Sequence, residues 1–212
     1  TLGLEDYEAF LHEPATAERF DNLVAYDGKD PVGIGKSLAT FSAFAEGVSL
    51  YSAFAVLYSF QMRNLLKGVG QQMKWSVRDE SLHSKMGCQL FRHMCSQIPG
   101  LKEECKEHVY DAALTMHNAE MTYISKLFEM GDIEGITEYD LKHFIKKRTG
   151  DKIKELGYKA EGKFKFEYDQ KSIDKMAWFD HLTGGHTHTD FFAIRPTDYS
   201  KANEGEDFED VW

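Results

Sequence analysis

Glu80 and His83, in the run Trp75-Ser-Val-Arg-Asp-Glu-Ser-Leu-His83, carry a carboxylate and an imidazole three positions apart. On a helix that spacing sets both groups one turn apart on the same face, where they can share a cation. Helical bundles that hold two metal ions use the pattern twice, with single carboxylates from two further helices, all aimed inward. Here E-x-x-H occurs once, and its nearest imitation, Asp140-Leu-Lys-His143, sits in a Lys-rich stretch that reads as a wet helix face. A third candidate is Glu46, the single acid between Lys36 and Lys67 in a run that is apolar or small nearly all round. A helix of that composition is expected to be buried, and a carboxylate inside it is costly unless it binds a cation. Either Glu46 binds a cation or the stretch around it is not buried as its composition suggests.

The elements that must position these residues read as helices. Short helical patterns at Leu4 to Leu11 and Ala15 to Val24 are separated by Pro14 and followed by an Asp27-Gly28 turn signal. A long helix then starts near Gly35 and is followed by a second from Gln71 to Gln97, closed by Pro99-Gly100. A third is predicted from about Leu101 to Met130, where Val109, Ala113, Met116, Ala119, Tyr123 and Leu127 recur at three- and four-residue spacing. A fourth spans about Glu138 to Leu156 and ends at Gly157, and strand-like alternation is weak except around Lys163–Tyr168. From His181 the character changes: Gly184-Gly185, His186-Thr-His188, Phe191-Phe192 and Tyr199 precede five acids and no bases after Asn203, with Phe208 and Trp212 among them. The expected organisation is a helical bundle over residues 1–180 and a flexible tail over 181–212 that docks on another surface.

Bulk properties narrow the function classes. A chain of 212 residues can bury one sizeable core. A net charge of −10 argues against general binding to nucleic acid or to anionic membranes, which need clustered lysine and arginine. Cys88, Cys95 and Cys105 are odd in number and fall in helical patterns, which points to reduced thiols inside a cell. No apolar run looks long enough to span a bilayer and no basic-then-apolar leader is present, so neither membrane insertion nor secretion is expected. Cys88, Cys95, Phe54, Phe60 and Trp75 read as packing residues, His186 and His188 as part of a Gly-rich loop, and the lysines between Lys142 and Lys165 as a solvated face.

With these pieces in order, the chain resembles the radical-generating small subunit of class I ribonucleotide reductase. The resemblance rests on Glu46-Gly-Val-Ser-Leu-Tyr-Ser-Ala-Phe54, Lys67-Gly-Val-Gly-Gln71, the Arg-Asp-Glu-x-x-His core ending at His83, Trp178-Phe-Asp, and Asp190-Phe-Phe-Ala-Ile-Arg-Pro-Thr-Asp-Tyr-Ser200. These runs cover roughly residues 36–200, and the 37 residues from Glu46 to His83 fit as well. The resemblance implies an all-α, ferritin-like bundle in which Glu46, Glu80 and His83 are metal ligands. It further implies that Asp79 links the metal site to an electron-transfer route, that Tyr199 is the relay tyrosine between subunits, and that the terminal residues tether the large catalytic subunit. The cofactor so implied is a dinuclear Fe/Fe or Mn/Fe centre, within a dimeric, cytoplasmic assembly (host cytoplasm for a viral source).

The departure from the pattern is as informative. Family members carry an Asp, another E-x-x-H and usually a radical Tyr in an amino-terminal half, and nothing of that kind stands before Glu46. Residues 1–35 look like the linker and helix that would follow such a half. The expectation is a carboxy-terminal portion, either a natural split subunit completed by a second polypeptide or a fragment, and inactive without its complement and the large subunit. Two alternatives stand beside it. One is a non-catalytic helical scaffold that kept the family core and docking tail; the other is a homodimer in which two copies of Glu46, Glu80 and His83 face each other.

Overall fold

The computed structural model of the chain describes residues 30–183, the last three by their backbone alone. The first helix begins where Asp30 Oδ1 accepts hydrogen bonds from the amides of Val32 (2.8 Å) and Gly33 (2.9 Å). Pro31 occupies the first turn, where its missing N–H has no intrahelical partner to lose. From here the chain is not the single regular α-helix that its composition predicts. Helix α1 (Pro31–Leu38) passes into a π-helical segment, Ala39–Ser49, and then into α2 (Tyr51–Met62). A π-helix takes more residues per turn, so side chains beyond Ala39 are displaced around the axis relative to an α-helix.

Helix α3 (Lys67–Gln97) starts four residues earlier than the Gln71 expected, directly after Leu66 in the left-handed region at φ 46°. Helices α4 (Leu101–Leu127) and α5 (Glu138–Glu155) follow, then a 3₁₀ turn at Gly162–Phe164 and α6 (Gln170–Thr183). The π segment is the centre of the bundle and packs against α3, α4 and α5, while α6 lies on α5. Its small residues Ala39, Ser42, Ala43, Ala45 and Gly47 are all buried and permit this close approach. Phe44, Val48, Tyr51 and Tyr58 meet Phe91 of α3, Val109 and Met116 of α4, Leu141 and Ile145 of α5, and Phe179 of α6 in one continuous core. Each such side chain contributes about 1.5–3 kcal/mol of apolar burial.

Where α3 meets the π segment, Gly87 lies so close to Ser42 that an added Cβ would overlap Ser42 Oγ and Cβ. Gly87→Ala is expected to destabilise the fold by about 1–3 kcal/mol, since the short serine side chain has little room to yield. Urea unfolding midpoints of the two proteins measure this.

Asp140 corrects one expectation directly, because it lies buried rather than on a wet face. It sits in the first turn of α5, where Thr137 Oγ1 accepts from its amide (3.0 Å) and donates to its Oδ2 (2.7 Å). Ser172 Oγ donates to Asp140 Oδ1 at 2.7 Å, and Lys175 Nζ of α6 lies 3.2 Å from Oδ2, which ties α6 to α5. Burial alone would raise the carboxyl pKa, but the bonds from Ser172, Thr137 and Lys175 outweigh it and hold the group below its ordinary value of 3.8. A depressed folded pKa stabilises the fold above the unfolded value and loses that contribution as pH falls through the folded one. Asp140→Asn is therefore expected to cost about 1–3 kcal/mol near neutral pH and to flatten the decline in stability below pH 3.8, as read by unfolding at several pH values.

Other expectations are corrected too. The Lys163–Tyr168 alternation forms no strand, and among the described residues the only β pairing is an isolated bridge between Ile133 and Ile136. Lys152, expected in solvent, is buried with its ammonium 2.7 Å from Glu155 Oε2. The helix from Pro31 to Met62 is not covered all round, since Phe41, Leu50, Leu57 and Met62 are exposed. By length and composition that helix also meets the requirement for crossing a membrane, contrary to the reading of the sequence, and 61% of its most apolar window is buried inside the bundle. Helix α6 had no counterpart in the periodicity. The amino-terminal helical patterns and the tail from residue 184 lie outside the described residues.

Candidate metal centre

Glu46 projects from the π segment, and Glu80 and His83 from the facing part of α3. The structure brings the three together as the sequence predicts, with one ligand atom from each within 4.8 Å of the others. Two carboxylates and an imidazole at this spacing can be bridged by one hard or borderline cation with small side-chain adjustments. Burial raises the Glu46 pKa, and the neighbouring charge of Glu80 raises it further, against a weaker opposing pull from His83. Among the described residues no lysine or arginine pairs with either glutamate. The donor set and its crowding of negative charge therefore fit a metal ion.

The imidazole is bracketed rather than bonded. His83 Nδ1 lies 3.6 Å from Glu80 Oε2, and Nε2 lies 3.6 Å from Asp79 Oδ1, both too long for hydrogen bonds. The side chain of Glu80 is 26% exposed, that of His83 50% and that of Asp79 68%, so the triad lies on an open face of the bundle. Leu82, Met86 and Leu90, at four-residue spacing along α3, form a separate exposed apolar row on the same helix.

Residues that the sequence reading did not single out brace the triad from behind. Arg148 of α5 donates from Nε and Nη2 to the Gly47 carbonyl, each at 3.1 Å, one residue beyond Glu46. Its guanidinium lies 3.3 Å from the centroid of the Tyr51 ring, and Tyr51 Oη meets Ser81 Oγ at 2.7 Å, one residue beyond Glu80. Gly47 permits this close approach: an added Cβ would stand 2.6 Å from Lys152 Cε and 2.7 Å from Ser84 Oγ, and both side chains would have to shift. Arg148 carries no signal in the sequence, since it follows Lys146-Lys147 and reads as one more solvated base. Tyr199, His186 and His188 lie outside the described residues.

Because Glu46 is held near a second carboxylate without a compensating base, neutralising it is expected to help the metal-free protein. Glu46→Gln should leave the apo form as stable as the parent or raise its melting temperature by roughly 2–4 °C, at most about 1 kcal/mol, while weakening metal uptake. Differential scanning calorimetry with and without chelator separates the two effects.

Comparison with known proteins places the fold and the family. A profile of the ribonucleotide reductase small chain matches residues 5–163, more than half of the 212. The chain is 31% identical over 179 residues to a ribonucleoside-diphosphate reductase small subunit of Invertebrate iridescent virus 3, covering 80% of this chain and 44% of that one. It is 28% identical to the corresponding protein of Invertebrate iridescent virus 6, covering 91% and 58% respectively. The chain thus spans about half the length of these curated relatives. A crystal structure of a class I ribonucleotide reductase from Bacillus halodurans superposes with a TM-score of 0.72 at 21% identity, over 84% of this chain and 63% of that one, which shows the same ferritin-like helical fold. By a match that includes the Glu46, Glu80 and His83 segments, the chain belongs to the ribonucleotide reductase small-chain family.

Proposed function

We propose that this chain houses half of the dinuclear metal site of a ribonucleotide reductase small subunit, with Glu46, Glu80 and His83 as its ligands. A complementary amino-terminal half chain supplies the remaining carboxylates and imidazole. The observation that carries this reading is the convergence of the three ligand atoms within 4.8 Å, with Glu46 and Glu80 half-buried and His83 exposed. A half-filled ligand set on a helix that also exposes Leu82, Met86 and Leu90 suits a bundle that another segment covers. A scaffold without metal would be better served by apolar residues at these three positions.

The oxygen-rich donor set suits iron or manganese, and the centre when bound supplies the one-electron oxidant that a large subunit uses to reduce ribonucleotides. The chain's own groups hold and connect it. Glu46 and Glu80 bind through carboxylates, His83 through an imidazole whose orientation Asp79 influences from 3.6 Å. Asp79 links the centre to the electron-transfer route, Tyr199 relays between subunits, and the acidic and aromatic end of the chain, Asn203–Trp212, tethers the large subunit in a dimeric, cytoplasmic assembly.

Native mass spectrometry with metal analysis on material from the natural source tests this. A partner chain of similar size with about two metals per pair is the expected result. This chain alone and free of metal would sink the split-subunit reading in favour of a scaffold or a fragment.

A further inference from the structure

A second polar feature lies behind the triad, between α3 and α5. It is a cavity of about 440 Å³ lined by Lys85 and Arg92 from α3 and by Arg148 and Lys152 from α5, with Glu155 as the only lining carboxylate. In a chain of net charge −10, four cations converging on one acid are a local inversion of sign. Only Lys152 is neutralised at close range, by Glu155 at 2.7 Å. Arg92 spends Nη1 on the Glu155 carbonyl (2.7 Å), and Arg148 is occupied with the Gly47 carbonyl and the Tyr51 ring. Among the described residues neither arginine, nor Lys85, has a carboxylate within ion-pair distance. Asp180 bears on Arg148 at longer range, from a smaller cavity on its far side.

Cations of like sign held around a shared void repel one another, and an anion entering the void removes that repulsion. Guanidinium groups present planar pairs of donors that match tetrahedral oxyanions, and ammonium groups add point charge. A lining charge of three net positives favours a dianion over a monocarboxylate. The volume exceeds what a bare oxyanion fills and falls in the range of small-molecule sites. Ser81, Gln89 and Tyr51, which also line the cavity, offer contacts to a non-ionic remainder.

We propose that this cavity is a binding site for a phosphoryl group, either free phosphate or the phosphate of a small organic ester, held by Lys85, Arg92, Arg148 and Lys152. The inference does not depend on the metal reading, because the cavity is formed by the described helices alone and binding is measured without metal.

Isothermal titration of the full chain with inorganic phosphate, at ionic strength fixed with chloride, tests it. Saturable one-site binding is expected, weakened by about tenfold or more in Lys85→Met and in Arg92→Met and unchanged in Lys159→Met, an exposed lysine outside the cavity. Arg92→Met also loses the bond to the Glu155 carbonyl and could unfold; Lys85→Met removes no hydrogen bond and keeps the test decisive. Titration with adenosine monophosphate distinguishes the sources: tighter binding than phosphate assigns an organic ester, and equal or weaker binding assigns free phosphate. Heats that never saturate, or an equal loss in Lys159→Met, would overturn the proposal.

Discussion

Glu80→Ala is expected to abolish metal uptake by the completed assembly while leaving helix content nearly unchanged. Glu80 lies in the middle of α3, a 31-residue helix whose stability comes from Val77, Ser84, Gly87, Cys88 and Phe91 packing on the core side. Its own side chain is partly exposed and makes no hydrogen bond to the core, with His83 at 3.6 Å, so truncation opens no cavity. Alanine also has the highest helix propensity, which offsets the lost contact. The ligand function has no such reserve. Removing one of the two carboxylates that this chain contributes leaves Glu46 and His83 on different helices with no group bridging them, and hard cations depend on the carboxylates that hold them. The expected outcome is metal content near zero by elemental analysis with a superimposable far-ultraviolet circular dichroism spectrum. Uptake at the parent level, or loss of the helical spectrum, would contradict the assignment of Glu80 as a ligand.

Phe179→Ala is expected to have the largest effect on stability. Phe179 is almost fully buried on α6, and its ring meets Phe144 of α5 edge-on at 5.4 Å. It also packs edge-on against Tyr51 and Tyr58 of α2, at 6.0 and 6.3 Å between centroids. Truncating a buried phenylalanine costs about 3–5 kcal/mol through lost transfer energy and the cavity left behind. For a chain of this size that corresponds to a fall in melting temperature of roughly 10 °C or more. Because Tyr51 also bonds to Ser81, loosening its ring transmits to the helix turn that carries Glu80 and His83. Calorimetry on Phe179→Ala, with Tyr168→Ala as an exposed control expected within about 0.5 kcal/mol of the parent, checks the size of the effect. A fall no larger than that of the control would mean that α6 is not anchored through this ring.

Glu46, Glu80 and His83 stand out as candidate ligands in the sequence because their signal is local or strongly contrasted. Glu80 and His83 share a face through a three-residue spacing, which holds in any α-helix. Glu46 stood out as one acid in an apolar run. The four long helices were equally readable, because three- and four-residue apolar spacing and the stops at Pro99-Gly100 and Gly157 act within a few residues of each other. Helix α6 gives no periodic signal because its buried apolar residues, Met176 and Phe179, are few.

What the sequence by itself determined is therefore the helical class, the positions of the main helices and the three candidate ligands, all of which follow from periodicity and from the cost of a charge among apolar neighbours. Only the tertiary structure decided the rest. The π-helical turn at Ala39–Ser49 arises where small residues let three helices crowd the same segment, and no residue type within it announces the change of pitch. The burial of Asp140 and Lys152 depends on partners 32 residues away at Ser172 and one turn on at Glu155, not on composition. Arg148 stands 101 residues from the Gly47 carbonyl it grips, so its place behind the triad is a product of how α5 docks on the π segment. Spacing along a chain specifies what shares a helix face; which faces meet is set by packing, and packing is a property of the whole fold.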